Sequence, residues 1–395
     1  MVLKDHAAIV GIGETDYVRG SGLSDLALIL RASVAACRDA GIEPAEIDGV
    51  IAPGLPGVAS AEDYVAGLGI RDLTFSGRIE MGGASAVAAL GHAAQAVESG
   101  SARYVLVSTG WNGYSSMRLG KGGDAVLRML VNTLPNPRFR TNLEHPYGLL
   151  VPMQYYSLHA RRWIHEYYSE DEATEAMATV AVTMRQYAQH NPKAYMRGRP
   201  LTLEDYYKAP TLVEPLRIFD CCLETDGAAA VIVTSAENAK QNKRVPVYIT
   251  AVAEGHPDSP DDVITRPDIL NMGITKAAPR AFAAAGLGPA DIDFAEIYDC
   301  FTFIVLRQLE EIGFCRRGEV LKFLQEQGIG MTGKLPVNTH GGLLSQAHVV
   351  GMNHVVEAVR QLRSDAGEAQ LPDPHIGLVT GYGDLGDGAM AILQN

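Results

Sequence analysis

Several features are scarce or missing. Cysteine occurs five times in 395 residues, as Cys37, Cys221, Cys222, Cys300 and Cys315, with no Cys-x-x-Cys pair. That excludes a disulfide framework and a zinc ribbon within the chain. No run of 18 apolar residues occurs, which excludes a hydrophobic spanning helix. The opening MVLKDHAAIVGIG is too short in apolar residues for a signal peptide, so a soluble, reduced, cytoplasmic protein is expected. Positive charge is also short: 33 Lys and Arg stand against 46 Asp and Glu, a formal net charge of −13. A general nucleic-acid binder needs a basic face, so that class is set aside. The GIGETD at Gly11 lacks the third glycine of a dinucleotide fingerprint.

Glycine is abundant, with 41 residues beside 20 prolines, and helix-period and strand-period segments alternate as in α/β folds. AAIVGIG (Ala7 to Gly13) reads as a strand buried on both faces, and Leu23 to Ala40 as a helix stopped by Gly41. The sequence also repeats itself. Ala40-Gly-Ile-Glu-Pro-Ala-Glu-Ile-Asp48 returns 245 positions later as Ala285-Gly-Leu-Gly-Pro-Ala-Asp-Ile-Asp293. A second pair follows in the same order: Gly82-Gly83 opens a small-residue helix before YVLVSTG, and Gly341-Gly342 opens LLSQAHVVGMNHVVEAVRQL before IGLVTGYG. A period this long signals a duplicated domain. The division expected is 1–240 and 241–395. The first half carries an insertion, 112–212, rich in Tyr, Arg, Pro and Met.

In α/β sheets ligands gather at strand C-termini and helix N-termini. Four segments stand at such places: Glu80 to Ser85, Glu296 to Phe301, Asn338 to Gly342 with His348, and Gly381 to Asp384. These segments, and HGGLLSQAHVVGMNH in particular, resemble the thiolase superfamily over nearly the whole chain. The nearest branch is that of sterol carrier protein x and the thiolase-like lipid-transfer proteins. The resemblance implies two βαβαβ halves in a five-layer αβαβα arrangement. It places the nucleophilic cysteine position at Gly82, the Asn-Glu-Ala-Phe motif on Tyr298-Asp299-Cys300-Phe301, the histidine at His348 and the second cysteine at or near Tyr382.

Gly82 cannot accept an acyl group, and Ser85 lies a turn along the helix. A thiolase needs a thiolate there. Without it, phenols, an imidazole, a carboxylate and backbone donors remain. The pattern is similar to steroid side-chain-cleaving aldolases of the superfamily, which lack the cysteine and use tyrosines; that branch carries a tyrosine where this chain has His348. The expected reaction is retro-aldol cleavage of a β-hydroxyacyl-CoA with a bulky acyl group. Tyr298, His348, Tyr382, Asp299 and His340 are the catalytic candidates, and Gly82, Gly83 and Gly383 the oxyanion or substrate-binding donors. Coenzyme A enters only as part of the substrate. No metal is expected in this chain.

Two alternatives stand beside this reading. One is a β-ketoacyl-CoA thiolase, of the benzoylsuccinyl-CoA type, with a displaced nucleophile such as Cys300. The other is a non-catalytic lipid-transfer or scaffold subunit. The resemblance further implies a homodimer, paired through the strand Tyr104 to Thr109 as an exposed edge. It also implies a small OB-fold and zinc-ribbon partner completing a heterotetramer, with zinc in the partner only. The basic run Arg118, Lys121, Arg128, Arg138 and Arg140 is a candidate phosphate contact.

Overall fold

The computed structural model describes residues 6–53, 59–116, 142–258, 266–383 and 386–395. The basic run from Arg118 to Arg140 lies outside them, as does Asp384. No helix among the described residues is long and apolar enough to cross a membrane.

The first half is built from β1 (Ala7–Glu14), α1 (Asp25–Ala40), β2 (Gly49–Pro53), α2 (Ala61–Leu68), β3 (Phe75–Ile79), α3 (Ser85–Glu98) and β4 (Tyr104–Asn112). The inserted region then supplies α4 (Pro152–Tyr167), α5 (Glu170–His190) and a ribbon of β5 (Thr211–Val213) and β6 (Leu216–Arg217), before β7 (Asp226–Ser235). The second half has β8 (Val247–Gly255), α6 (Gly273–Ala285), β9 (Phe294–Glu296), α7 (Thr302–Ile312), α8 (Met352–Leu362), β10 (Ile376–Tyr382) and β11 (Gly388–Gln394).

Nine strands form one mixed sheet in the order β3-β2-β4-β7-β1-β8-β11-β10-β9. The order is palindromic about the β1–β8 junction: β8 answers β1, β11 answers β7, β10 answers β4 and β9 answers β2. Even β3 has a counterpart, a parallel bridge from Ala295 to Val337 beyond β9. The two halves of the sheet join only through Ala8–Tyr248 and Ile9–Val247. Helices α3 and α8 pack on strands of both halves, whereas α1 covers the outer face of the first half and α6 that of the second. Helix, half-sheet, helix pair, half-sheet and helix therefore follow in five layers. A helix pressed between two sheets needs small side chains, and α3 reads SAVAALGHAAQAVE.

The first repeat is one piece of capping chemistry used twice. α1 ends on Gly41 and α6 on Gly286, both left-handed, with φ of 72° and 73°, where a side chain would be strained. A short 3-10 turn follows each, at Pro44–Glu46 and Pro289–Asp291. The Asp that closes the repeat then fixes the start of a distant strand. Asp48 accepts from the backbone N–H of Arg103 and Tyr104, and Asp293 from those of His375 and Ile376.

Three expectations need correction. The helix expected from Gly341–Gly342 is broken: one turn, Gly342–Ser345, is separated from α8 by a bend at Val350 and Gly351, with φ of 57° and 80°. Gly351, at the start of α8, is therefore the counterpart of the turn that opens α3. The strand from Tyr104 is not an edge, because β4 pairs with both β2 and β7; the free edge of the first half is β3. The inserted helices α4 and α5, assigned by sequence order to the first half, share a core with the second: Tyr156, Trp163, Met177 and Met184 pack with Phe303, Leu306 and Leu343. The buried Arg307–Glu310 ion pair on α7 reinforces this, because Glu310 also accepts from Trp163 Nε1 at 3.2 Å and from Tyr168 Oη at 3.0 Å.

Asp48→Ala is expected to lower stability by about 1–2 kcal/mol, in line with the loss of charge-assisted hydrogen bonds from a half-buried carboxylate. Urea denaturation measures it.

Candidate active site

Tyr298 and Tyr382 stand at the C-terminal ends of β9 and β10, adjacent parallel strands. The backbone N–H of Tyr298 donates to Thr380 Oγ1 at 3.0 Å, and its carbonyl accepts from Gln308 Nε2 at 2.8 Å. The ring then runs into a slot between the openings of α3 and α8. A Cβ placed on Gly83 would lie 2.3 Å from Tyr298 Oη, and one on Gly351 would lie 2.9 Å from the ring edge. The phenol oxygen thus sits against the N-terminal turn of α3, where the helix dipole favours negative charge.

His348 meets that oxygen. Its Nε2 lies 3.1 Å from Tyr298 Oη. The histidine backbone is clamped on both sides, donating to Thr225 Oγ1 at 3.0 Å and accepting from Trp111 Nε1 at 2.6 Å. Trp111 also meets the imidazole edge-on at 4.9 Å. Burial pushes the imidazole down to about 4, so it is neutral near pH 7 and, in its Nδ1–H tautomer, its Nε2 accepts from the phenol.

Tyr382 approaches from the next strand. Its carbonyl lies against Gly83, while its ring packs on Tyr156, centroids 6.1 Å apart, with Arg266 and Cys300 as neighbours. Burial holds the phenol well above its usual range, so it remains protonated.

The other candidates fall elsewhere. Gly383 is not a free donor: its N–H is taken by the carbonyl of Asp387 at 2.8 Å, which closes the turn between β10 and β11. Ser85 is no displaced nucleophile, since its fully buried hydroxyl accepts from the N–H of Met81 at 2.8 Å. Asp299 is fully buried behind Tyr298, accepting from the N–H groups of Leu343 and Leu344. His340 is equally buried, between Glu296 and His354. Burial pushes the thiol of Cys221 up to about 12 and that of Cys222 well above its usual range, so neither offers a ready thiolate. Cys222 N–H donates to the carbonyl of Cys300, a structural tie.

Glu296, His340 and His354 bring ligand-type atoms within 4.8 Å of one another. They do not fit a metal centre. The two nitrogens of His340 lie 2.9 Å from Glu296 Oε2 and 2.9 Å from His354 Nδ1. Both spacings are shorter than about 3.3 Å, the distance at which tetrahedral zinc, with bonds of about 2.0–2.1 Å, spaces its ligands.

Trp111, Thr225, Thr380 and Gln308 were not among the sequence candidates. Only Trp111 carried a signal, as a rare tryptophan at a strand's C-terminal end.

Comparisons with known proteins give the family. Residues 256–395 match the family described as Thiolase C-terminal domain-like. The 17-hydroxy-3-oxo-4-pregnene-20-carboxyl-CoA lyase of Mycobacterium tuberculosis is 38% identical over 97% of this chain and 98% of its own. The chain belongs to the thiolase superfamily. Within it, the chain stands close to the steroid side-chain-cleaving aldolases: that of Thermomonospora curvata is 39% identical over 92% of this chain and 91% of its own. The solved Ltp2-ChsH2(DUF35) aldolase superposes with a TM-score of 0.90 at 35% identity, covering 100% of this chain and 99% of that one. The chain is accordingly a lyase of the aldolase type within the thiolase fold.

Gly83→Ala is expected to push the Tyr298 ring out of its slot. Overpacking of this kind costs about 1–3 kcal/mol, and kcat should fall at least tenfold, read from steady-state kinetics beside a thermal melt.

Proposed function

We propose that the chain cleaves the carbon–carbon bond of a β-hydroxyacyl-CoA whose acyl group is a steroid side chain, by a retro-aldol reaction without an acyl-enzyme. The observation that carries this is the Tyr298–His348 pair at the mouth of α3, where the superfamily nucleophile position is Gly82. The identity to aldolases over nearly the whole chain supports it.

In this reading Tyr298 Oη accepts the proton of the substrate β-hydroxyl as its own proton passes to His348 Nε2. The O–H electron pair becomes the new carbonyl, and the Cα–Cβ pair moves onto the thioester as an enolate. Backbone N–H groups at Gly82 and Gly83, with the α3 dipole, face that enolate oxygen. A proton then returns to Cα. Tyr382, kept protonated by burial, is the donor assigned from the neighbouring strand, and the proton held as imidazolium on His348 leaves as Tyr382 takes one up, which resets the site. His348 in place of the branch's tyrosine makes the base an imidazole–phenol couple.

The displaced-nucleophile alternative rests on Cys300, whose backbone is tied to Cys222, and the buried Ser85 hydroxyl, held by Met81 N–H, offers it no substitute. The lipid-transfer alternative is opposed by the aimed Tyr298–His348 contact.

The partner belongs to the proposal too. A DUF35-type protein, expected to carry the OB-fold and zinc ribbon, would complete the assembly as in the similar aldolase. A homodimer would pair through β3, the free sheet edge. Co-purification and sedimentation of the two chains test both. A monomer that is fully active alone would sink this part.

Steady-state assays with a 17-hydroxy steroid carboxyl-CoA, with and without free CoA, test the reaction. Tyr298→Phe should lower kcat about 10²–10⁴-fold and Tyr382→Phe at least tenfold, within the usual span of acid–base contributions. Cys300→Ala should change little. A trapped acyl-thioester on Cys300 would overturn the lyase reading.

The pH profile carries its own sign. A base works only when unprotonated, and burial lowers the proton affinity of His348. The acid limb of kcat/KM should therefore fall near pH 4, about two units below an ordinary histidine at about 6.5. A limb at pH 6–7 would remove His348 from the role.

A further inference from the structure

Arg266 is buried, only 7% exposed, and the mechanism above gives it no task. A guanidinium keeps its charge in any surroundings a protein offers, so Arg266 is a fixed positive charge inside the second half. The segment that follows sets its place. Asn271 N–H donates to the Asp268 carbonyl at 3.1 Å and Leu270 N–H to Asp268 Oδ1 at 2.9 Å, which closes a turn. The Leu270 carbonyl then accepts from Arg307 Nη2 of α7 at 3.2 Å.

Gly386 shows what Arg266 faces. A Cβ built there would lie 3.1 Å from Arg266 Nη1 and 3.4 Å from Tyr382 Oη. Guanidinium and phenol oxygen therefore border one point, at which the glycine adds no side chain. Gly386 is itself tied at both ends: its N–H donates to the Gly383 carbonyl at 2.9 Å, and its carbonyl accepts from Gly273 N–H at 2.6 Å, at the start of α6. Its φ of 98° lies in the left-handed region that favours glycine.

The phenol has an electrostatic difficulty to meet. As Tyr382 gives its proton to Cα, its O–H bond breaks, that electron pair stays on oxygen, and the enolate pair forms the new Cα–H bond. A buried phenolate is left. Desolvation opposes it, as do Cys300 and Asp387, whereas Arg266 and, more weakly, Arg307 favour it. Arg307 is already paired with Glu310 and Glu311, and Asp387 with His256 at 2.9 Å. On the α4 side stand Tyr156, in ring contact with Tyr382, and His159. Burial and the two arginines push His159 down to about 3, so it adds no charge near pH 7.

We propose that Arg266 is a positioning residue for the Cα protonation step: across Gly386, its guanidinium stabilises the negative charge left on Tyr382 Oη until a proton returns there. Arg266 itself exchanges no proton. The inference rests on the assignment of Tyr382 as the donor to Cα, and it adds the group that makes a desolvated phenol a usable acid.

The test reads proton transfer apart from carbon–carbon cleavage. Deuterium uptake at Cα of propionyl-CoA in D₂O, followed by mass spectrometry on the full chain with its partner, runs the protonation step backwards and forwards through the same groups. Arg266→Met should slow uptake about tenfold, less than the about 10²–10⁴-fold of a lost acid–base group, with KM for propionyl-CoA unchanged. Arg266→Lys should keep most of the rate, since it keeps the charge. Arg266→Gln should be as slow as Arg266→Met, and it decides the matter where the Met variant fails a thermal melt. In the Tyr382→Phe background, Arg266→Met should add less than about twofold, because residues acting through one group are not additive. Losses that multiply in the double variant, or Arg266→Lys as slow as Arg266→Met, would overturn the role of Arg266 and leave Tyr382 as donor. Undiminished uptake in Tyr382→Phe, or none in the unsubstituted protein, would overturn the donor assignment and this inference with it.

Discussion

The candidate active site depends on two missing Cβ atoms. Gly83 and Gly351 open the two central helices, α3 and α8, one from each half of the duplicated fold, and Tyr298 lies in the slot between them. Any side chain at Gly83 would overlap the phenol and the carbonyl of Tyr382 together. Close helix packing and the reactive geometry are therefore one constraint. The layers must approach this closely for the phenol to reach the α3 dipole, and the glycine that permits the approach cannot be a nucleophile.

That arrangement selects the chemistry. In a thiolase the corresponding position supplies a thiolate, and negative charge is stored on sulfur. Here desolvation pushes the proton affinities of the Cys221 and Cys222 thiols upward. The groups that face each other are a phenol and an imidazole that burial keeps neutral. A neutral imidazole beside a phenol can take a proton and give it back without holding an acyl group, which is what a retro-aldol step requires. The clamp on the His348 backbone, from Thr225 on one side and Trp111 on the other, fixes its ring without occupying either ring nitrogen.

Much of the architecture was legible because its signals are local. The Ala40–Asp48 repeat encodes a left-handed glycine cap, a proline-led turn and a carboxylate that receives a strand, and each step depends on residues only a few positions apart. The repeat revealed the duplication, and the motifs at strand ends pointed to Tyr298 and His348, which the fold brings to 3.1 Å. What the sequence hid was long-range or conformationally improbable. The break before α8 turns on Val350, a β-branched residue at positive φ, where local preference points the other way. Sheet order put β4 inside and β3 at the edge, which no periodicity distinguishes. Gly383 resembled a donor until the Asp387 carbonyl, four residues on, claimed its N–H. The partners of His348 lie 123 and 237 positions away.

The insertion shows why sequence order misassigns function in a duplicated fold. Helices α4 and α5 leave the first half after β4, yet their apolar faces meet α7 and the turn at Leu343, and Tyr156 packs against both Phe301 and Tyr382. The second half thus gains an outer wall over its catalytic strand ends, while the first half contributes the helix dipole and Gly83 from inside. Two similar halves acquire unlike places in the candidate site: the first presents backbone charge, and the second presents the titrating side chains. Duplication alone would have made two equivalent sites. The insertion on one face, and the glycine, phenol and imidazole gathered at one junction, leave a single one.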